Sequence, residues 1–247
     1  AAFNRYGGEA EIFVIRNLSA KNMEDSVNEF AKRIDGSQMI AVPGGFSGGD
    51  EPEGSAKFIN AFFRNPKIKD AVENMLYARD GLMIGICNGF QALIKLGLVP
   101  FGKIVPLSGE SPTLTYNTIG RHQSQLALTK ICTNKSPWLM HCKVGEVYNI
   151  PISHGEGRFV ASDEVIAKLI ENGQIATQYV DLNGEPTMEL AYNPNSSMCA
   201  IEGIISPDGR VLGKMGHTER ISTDTCVNVD GNKEQLLFKG GVDYFRL

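Results

Sequence analysis

The chain is short of the features that mark several large classes of protein. Aromatic residues make up 8% of its 247 residues, tryptophan occurs once, and no apolar run reaches the roughly 18 to 20 residues of a membrane span. Lysine and arginine number 24 against 28 aspartate and glutamate, and no basic stripe is available to neutralise a nucleic-acid backbone. The first residues carry neither the basic nor the apolar region of a signal peptide. These absences predict a cytoplasmic protein that binds neither membranes nor nucleic acid.

Cysteine is also used in a way that excludes two kinds of cross-link. The five cysteines are odd in number, widely spaced and free of any Cys-x-x-Cys pair, so we expect neither a disulfide framework nor a metal site. Most thiols of this kind are buried as small apolar groups, and only the neighbouring residues can indicate a chemical role. The cysteines are Cys87, Cys132, Cys142, Cys199 and Cys226.

Short apolar runs alternate with amphipathic helical patterns over the first hundred residues. The runs predict strands at residues 11–15, 38–42 and 82–86. The helices between them are predicted to begin at Ser19, near Ser55 and at Asn65. The third strand has no charge and no polar alternation, as expected for a strand covered on both sides. This alternation predicts an α/β fold with a doubly wound, mostly parallel sheet and helices on both faces.

The pattern loosens beyond residue 100, although short elements can still be assigned. Strands are predicted at residues 125–132, 147–152, 175–181 and 211–215, and a helix is predicted to be capped by Asp163. No internal repeat or linker divides the chain, so we expect residues 1–247 to form a single domain. Residues 1–8 resemble the end of a helix with no strand before it. We therefore expect this domain to be the C-terminal part of a longer chain, with the first strand of the sheet missing here.

The segment Gly-Ile-Cys-Asn-Gly at 85–89 joins the third predicted strand to the next helix. It matches a nucleophile elbow, in which small residues two positions either side of the nucleophile let a strained turn close. The turn would place the Cys87 sulfur in the crevice at the carboxyl end of the sheet, at a helix N-terminus that favours a thiolate. The backbone amide of Asn88 would face a developing oxyanion. A buried, unreactive cysteine in a glycine-rich turn fits the same pattern.

Two histidines are candidates for the base that such a nucleophile needs. His217 follows a predicted strand, and Glu219, two residues later, is placed to orient its ring as the third member of a triad. His154, in the segment Ser-His-Gly-Glu-Gly-Arg, also lies at a strand end and is the competing base. His122 and His141 have no such setting, and we expect them to be exposed or structural.

The loop Pro-Gly-Gly-Phe-Ser-Gly-Gly-Asp at 43–50 closes the second strand, beside the elbow. It lacks the Lys-Ser/Thr ending of a phosphate-binding loop, and it does not match G-x-G-x-x-G before a helix. Its backbone amides can face the same crevice as the cysteine, so we interpret it as half of an oxyanion hole.

Four motifs, in this order, resemble the glutaminase domain of formylglycinamide ribonucleotide amidotransferase, also called phosphoribosylformylglycinamidine synthase. They lie at 43–50, 85–91, 153–158 and 217–220, and the resemblance runs from about residue 10 to the C-terminus. The elbow and the His-x-Glu pair are typical of any class I glutamine amidotransferase, a flavodoxin-like fold. The first and third motifs are the more specific part.

The resemblance implies a reaction and a role for each residue of the triad. Cys87 attacks the side-chain amide of glutamine, and His217, oriented by Glu219, moves the protons. The amides of Gly45 and Asn88 hold the oxyanion. The glutamyl thioester is then hydrolysed, and the ammonia serves the ATP-dependent conversion of formylglycinamide ribonucleotide to the amidine in purine synthesis.

The resemblance also implies what the domain binds. Glutamine is expected to contact Gln91, Phe46, His154 and Gly155. No cofactor or metal is expected in this domain, whereas ATP and magnesium belong on the synthetase domains of the same chain or complex, which are the expected partner.

The sequence departs from the family pattern in two places. The opening strand and its Pro-Gly-x-Asn turn are absent, and the usual Pro-His-Pro-Glu reads Gly216, His217, Thr218, Glu219. The triad is intact, but the prolines that stiffen the loop are gone.

Two other functions remain open from the residues alone. One is a different cysteine hydrolase of similar fold, such as a γ-glutamyl hydrolase or a peptidase. The other is a ligand-binding module without catalysis.

Overall fold

The computed structural model describes residues 1–45 and 56–246 of the chain. In these residues the strands are β1 Met39–Val42, β2 Leu82–Ile86, β3 Thr113–Tyr116, β4 Gln123–Ile131, β5 Val147–His154, β6 Glu156–Val160, β7 Ile175–Tyr179, β8 Ile201–Ile205 and β9 Val211–Lys214. The α-helices are α1 Ala2–Arg5, α2 Ala20–Asp35, α3 Lys57–Phe63, α4 Pro66–Glu73, α5 Asn88–Leu96, α6 Leu98–Phe101, α7 Asp163–Glu171 and α8 Leu237–Tyr244. None of the helices in the described ranges is long and apolar enough to span a bilayer.

Seven strands form one sheet in the order β1-β2-β9-β8-β7-β4-β5, and β3 pairs with β6 in a separate ribbon. The β1–β2 and β2–β9 pairs are parallel, whereas the remaining pairs of the large sheet are antiparallel. The predicted α/β fold is confirmed, but the described sheet is mixed rather than mostly parallel, and its parallel part lies where the site motifs lie. The carboxyl ends of β1, β2 and β9 meet at one edge, where open α/β sheets bind ligands.

The core is densest where α5 crosses the parallel strands. All five residues of β2 and all four of β9 are buried. A Cβ atom on Gly213 would lie 2.1 Å from Cδ2 of Phe90, so the helix rests directly on β9. This close packing fixes the start of α5 relative to the strand ends, and therefore fixes the residue between β2 and α5.

The strand predicted at 11–15 is wrong. Residues 11–17 form no regular secondary structure, and Ile12 is 88% exposed. The segment is held by side chains instead: the Phe13 ring packs 4.8 Å from the Phe30 ring of α2, and the Arg16 N–H donates to Ser26 Oγ at 3.0 Å. An apolar run of five residues suits either packing against a helix or pairing in a sheet, because pairing depends on a distant strand that periodicity does not identify.

The other predicted elements are found within a few residues of their expected positions. Strands β1 and β2 match the predicted runs, and α4 begins after Asn65, whose side chain accepts the Lys67 N–H at 3.1 Å. The cap of α7 is Ser162, which accepts the Val165 N–H, and the predicted Asp163 is the first helical residue. The predicted start of a helix near Ser55 lies outside the described residues.

Candidate active site

Cys87 stands alone between β2 and α5, in the strained turn expected of an elbow. Its φ of 54° and ψ of −110° are unusual for a residue with a side chain, and its N–H donates to the Lys214 carbonyl of β9 at 2.9 Å. The glycine after it is required by contact, because a Cβ atom on Gly89 would lie 2.0 Å from the carbonyl oxygen of Val42. The small residues of the motif therefore let α5 start against β1 and β2, with Cys87 held at the turn between them.

Opposing effects act on the Cys87 thiol, and burial is the largest. Burial raises the pKa of Cys87, while hydrogen bonds from the backbone N–H groups of Asn88 and Gly45 lower it. The positive charge of Arg220 also lowers it, and the charge of Glu219 raises it. The net pKa is above the ordinary value, so the helix N-terminus alone does not produce a thiolate here. The same two N–H groups are the pair predicted to form the oxyanion hole.

His217 lies at the end of β9 with its ring oriented by a carboxylate. Its Nδ1 atom is 2.6 Å from Glu219 Oε1, and the ring is 1% exposed. A carboxylate at Nδ1 holds the proton there, which leaves Nε2 free to accept one. Nε2 makes no hydrogen bond within residues 1–45 and 56–246. This is the tautomer that a general base requires.

Gly44 lies close to both the cysteine and the histidine, and it belongs to the 43–50 motif, although the sequence predicted no role for this residue itself. A Cβ atom on Gly44 would lie 2.8 Å from Cε1 of His217 and 3.0 Å from Cβ of Cys87. The absence of a side chain at Gly44 thus lets both Cys87 and His217 lie close to the loop after β1. Only the sheet order reveals this role, since β1 and β9 flank β2.

His154 is buried beside His217 and lacks the carboxylate that orients the latter. The ring centroids are 6.1 Å apart, and neither ring nitrogen of His154 has a hydrogen-bond partner in the described part of the chain. Burial, reinforced by unfavourable electrostatic interactions with His217, His122 and Arg220, lowers the pKa of His154 to about 3. The ring is therefore neutral at pH 7, and it forms part of the wall of the site next to the candidate base His217.

A cavity of about 320 Å³ opens onto the cysteine and both histidines. Its size and mixed lining suit a small polar ligand. The described residues that line it are Gly45, Cys87, Gln91, Tyr116, Gly120, Arg121, His122, Ser153, His154, Gly155, Glu156, His217 and Arg220.

Hydrogen bonds fix the far wall of this cavity. The Gln91 amide donates to the Glu156 carbonyl at 3.1 Å, which ties α5 to β6. Asn117 donates from its side chain to the His154 carbonyl at 2.8 Å and from its backbone to the Gly155 carbonyl at 2.9 Å. Gln91 therefore shapes the wall as well as lining the cavity.

The structure brings together most of the residues that the sequence predicted. Gly45 and Asn88 lie at the predicted triad, and Gln91, His154 and Gly155 line its cavity. Phe46 lies outside the described residues. Their contact with glutamine stays a prediction.

Other residues at the cavity were not predicted for the site. His122 is exposed, as expected, yet it lines the cavity with its Nε2 atom 3.0 Å from Ser153 Oγ. Tyr116, Arg121 and Arg220 join it there. Apart from the Arg at the end of the His-x-Glu-Arg motif, no sequence signal marks these residues. Within the described ranges, no group of three or more His, Cys, Asp or Glu side chains is arranged to hold a metal ion.

Comparison with known proteins places this geometry in a family. Residues 1–245 match the model of the CobB/CobQ-like glutamine amidotransferase domain. The chain belongs to this glutamine amidotransferase family. The predicted resemblance is thereby confirmed, and the chain is an enzyme of the amidotransferase type.

Individual relatives are similar over most of their length. The phosphoribosylformylglycinamidine synthase subunit PurQ of Chlorobium chlorochromatii is 37% identical over 215 residues, which are 83% of this amidotransferase and 79% of the relative. The subunit of the same name from Symbiobacterium thermophilum is 31% identical over 96% of this chain and 91% of its own. The structure of PurLQS from Thermotoga maritima superposes with a TM-score of 0.62 at 27% identity, over 85% of this chain and 81% of that one.

Proposed function

We propose that the chain hydrolyses glutamine to glutamate and ammonia through Cys87, His217 and Glu219. The observation that carries the proposal is their convergence: a cysteine in an elbow and a histidine held by a carboxylate both lie close to Gly44 and line one cavity. The family of glutamine amidotransferases, to which the chain belongs, supports glutamine as the substrate.

The reaction begins with transfer of the thiol proton to His217 Nε2. The Cys87 sulfur then forms a bond to the side-chain carbonyl carbon of glutamine, and the oxygen takes the negative charge. The N–H groups of Gly45 and Asn88 donate to the sulfur in the free protein, which supports a role as donors to that oxygen, a type of contact worth about 3 to 4 kcal/mol per donor. Because burial raises the pKa of the thiol, the base is needed for this first step.

The carbon–nitrogen bond breaks when His217 gives its proton to the departing ammonia. A glutamyl thioester remains on Cys87. Water that loses a proton to His217 attacks the thioester, the carbon–sulfur bond breaks, and glutamate leaves with the thiol restored. Glu219 stabilises the charged ring in both half-reactions.

The charges of the cavity suit the amino-acid end of glutamine. Arg121 and Arg220 line the cavity together with Glu156. Two guanidinium groups and a carboxylate are complementary to the α-carboxylate and α-ammonium of the substrate. This pairing favours glutamine over a peptide, in which neither group is free, and so weakens the peptidase alternative.

The ammonia is proposed to serve a synthetase that makes formylglycinamidine ribonucleotide in purine biosynthesis. The relatives are named as subunits of phosphoribosylformylglycinamidine synthase, which supports this use. ATP and magnesium act on that partner, and we assign no cofactor to this chain. Because free ammonia is wasted without an acceptor, glutamine hydrolysis should rise when the synthetase component and its substrates are added.

Labelling with a diazo-ketone analogue of glutamine tests the nucleophile. Peptide mapping should find the label on Cys87, and excess glutamine should protect it. Cys199 is exposed and serves as the internal control for unspecific alkylation, while iodoacetamide serves as the matched electrophile without a glutamine group. Label on other cysteines with Cys87 untouched would overturn the assignment.

A pair of histidine variants tests the base. His217→Asn should remove nearly all glutamine hydrolysis, whereas His154→Asn should act mainly on KM for glutamine. The opposite result would reverse the two roles. Hydrolysis of γ-glutamyl peptides in preference to glutamine would favour the alternative hydrolase instead.

A further inference from the structure

A lysine and a glutamate are completely buried behind the loop that carries His217. Lys214, the last residue of β9, and Glu202 in β8 are each 0% exposed, with Nζ 3.5 Å from Oε1. Thr177 of β7 donates its hydroxyl to the other carboxylate oxygen. Burying two charges is costly unless each is fully hydrogen-bonded, and an apolar pair would be as stable. The partners of the pair therefore indicate what it does.

Most of those partners belong to the loop of the base. Lys214 Nζ donates to the Gly216 carbonyl at 3.2 Å and to Thr218 Oγ1 at 2.9 Å. The N–H of Gly216 donates to Glu202 Oε1 at 2.5 Å. The ion pair thus binds the backbone of the residue before the histidine and the side chain of the residue after it. Gln235 completes the cluster, because its Oε1 accepts from both Lys214 and Thr218.

The same contacts account for the two residues that depart from Pro-His-Pro-Glu. A proline at 216 has no N–H to give to Glu202, and a Cβ atom there would lie 2.8 Å from Glu202 Oε1 and 3.2 Å from Lys214 Nζ. A proline at 218 has no hydroxyl to accept from Lys214. In this chain the glycine at 216 and the threonine at 218 therefore allow the buried pair to hold the loop.

We infer that Lys214, Glu202 and Thr218 are positioning residues, which hold the loop around His217 so that its ring faces Cys87. The inference rests on the proposed function of His217 as the base. None of the three reaches the reacting atoms. Their effect is on the ring, because displacement of a catalytic group by about 1 Å can cost 100-fold in rate.

A matched pair at Thr218 tests the inference. Thr218→Val keeps the shape of the side chain and removes the hydroxyl, whereas Thr218→Ser keeps the hydroxyl. With the synthetase component supplied, the valine variant should lower kcat for glutamine hydrolysis about 10- to 100-fold and leave KM within about twofold. The serine variant should stay within about threefold of the unsubstituted chain.

A control separates positioning from general stability. Gln174 is 3% exposed and donates to the carbonyls of Pro100 and Ile205 at 2.8 and 2.9 Å. Neither of these hydrogen bonds involves the loop around His217. Gln174→Met should lower the unfolding midpoint in urea while kcat stays within about threefold. The double variant Lys214→Met with Glu202→Gln removes both charges and should show the kcat loss of Thr218→Val.

The outcomes are distinct. Equal kcat for Thr218→Val and the unsubstituted chain, equal losses for Thr218→Val and Thr218→Ser, or a comparable kcat loss in Gln174→Met would each overturn the positioning role. If the double variant does not fold, the Thr218 pair still decides. If the unsubstituted chain neither hydrolyses glutamine nor is labelled on Cys87, the proposed function itself fails.

Discussion

Acid should unfold this protein partly through one histidine. His154 is 3% exposed, and burial together with nearby positive charge lowers its pKa to about 3, against 6.5 for the free side chain. Between pH 6.5 and about 3, His154 is therefore protonated in the unfolded chain but neutral in the folded state. The contribution of the neutral His154 to the free energy of unfolding is fully present above pH 6.5 and is lost as pH falls toward 3. At pH 5 the difference spans about 1.5 pH units, and at about 1.4 kcal/mol per unit the loss is about 2 kcal/mol.

The substitution His154→Gln removes the titrating group and keeps a neutral polar side chain. Urea unfolding at pH 7 and pH 5 gives the free energy of unfolding for each variant at each pH. The drop between the two pH values should be about 2 kcal/mol smaller in His154→Gln than in the unsubstituted chain. Any constant destabilisation caused by the substitution cancels in this difference.

His141→Gln is the matched control. Its ring lies at the surface, with Nε2 2.7 Å from Asp243 Oδ2, so removing it should not reduce the acid-induced loss. Equal pH dependence in His154→Gln and the unsubstituted chain would refute the reasoning, because it would mean that the buried ring takes up its proton without penalty.

Three further substitutions test the site and the core. Gly44→Ala places a Cβ atom 2.8 Å from the His217 ring and 3.0 Å from Cys87, so kcat for glutamine should fall at least about tenfold, with little change in the urea midpoint. Glu219→Gln removes the charge that orients the ring and should lower kcat about 100-fold or more while the Cys87 peptide remains intact by mass mapping. Trp138→Phe removes an indole N–H that donates to the carbonyls of Met83 and Arg210 at 3.1 and 3.2 Å, and should cost about 1 to 3 kcal/mol in urea unfolding at unchanged KM.

The parts of the site that follow from short motifs were predictable from the sequence. The elbow around Cys87 is local: its glycines and its apolar strand are adjacent, and the strained turn follows from them. The His217 and Glu219 pair is also local, since a single residue separates the two in the chain. In both cases the chain neighbours are the structural neighbours, so spacing carries the information.

The parts that depend on distant pairing were not predictable. Tyr116 ends β3, which pairs with the distant β6, and Arg121 follows it in the chain; both line the cavity, and no periodicity indicates the β3–β6 partnership. The segment at 11–15 fails for the same reason, since its apolar pattern fits both a strand and a packed coil. The contact between Lys214 and Glu202 was not predictable either. Each is a charged residue in an apolar strand, and only the antiparallel β8–β9 register places them together.

The thiol illustrates why residue-level chemistry has to be judged in the folded site. A cysteine at a helix N-terminus is expected to be acidic, because the helix end and its N–H groups favour a thiolate. Here both N–H groups are present, from Gly45 and Asn88, and the pKa of Cys87 is still raised, since burial at 8% exposure outweighs them. The side chain that can reverse this is a base with a free nitrogen, and His217 presents one with its other nitrogen held by Glu219. In the proposed reaction, activation of Cys87 therefore depends on how accurately the loop after β9 is held, and the proposed positioning role of the buried polar cluster behind that loop would act on this first step.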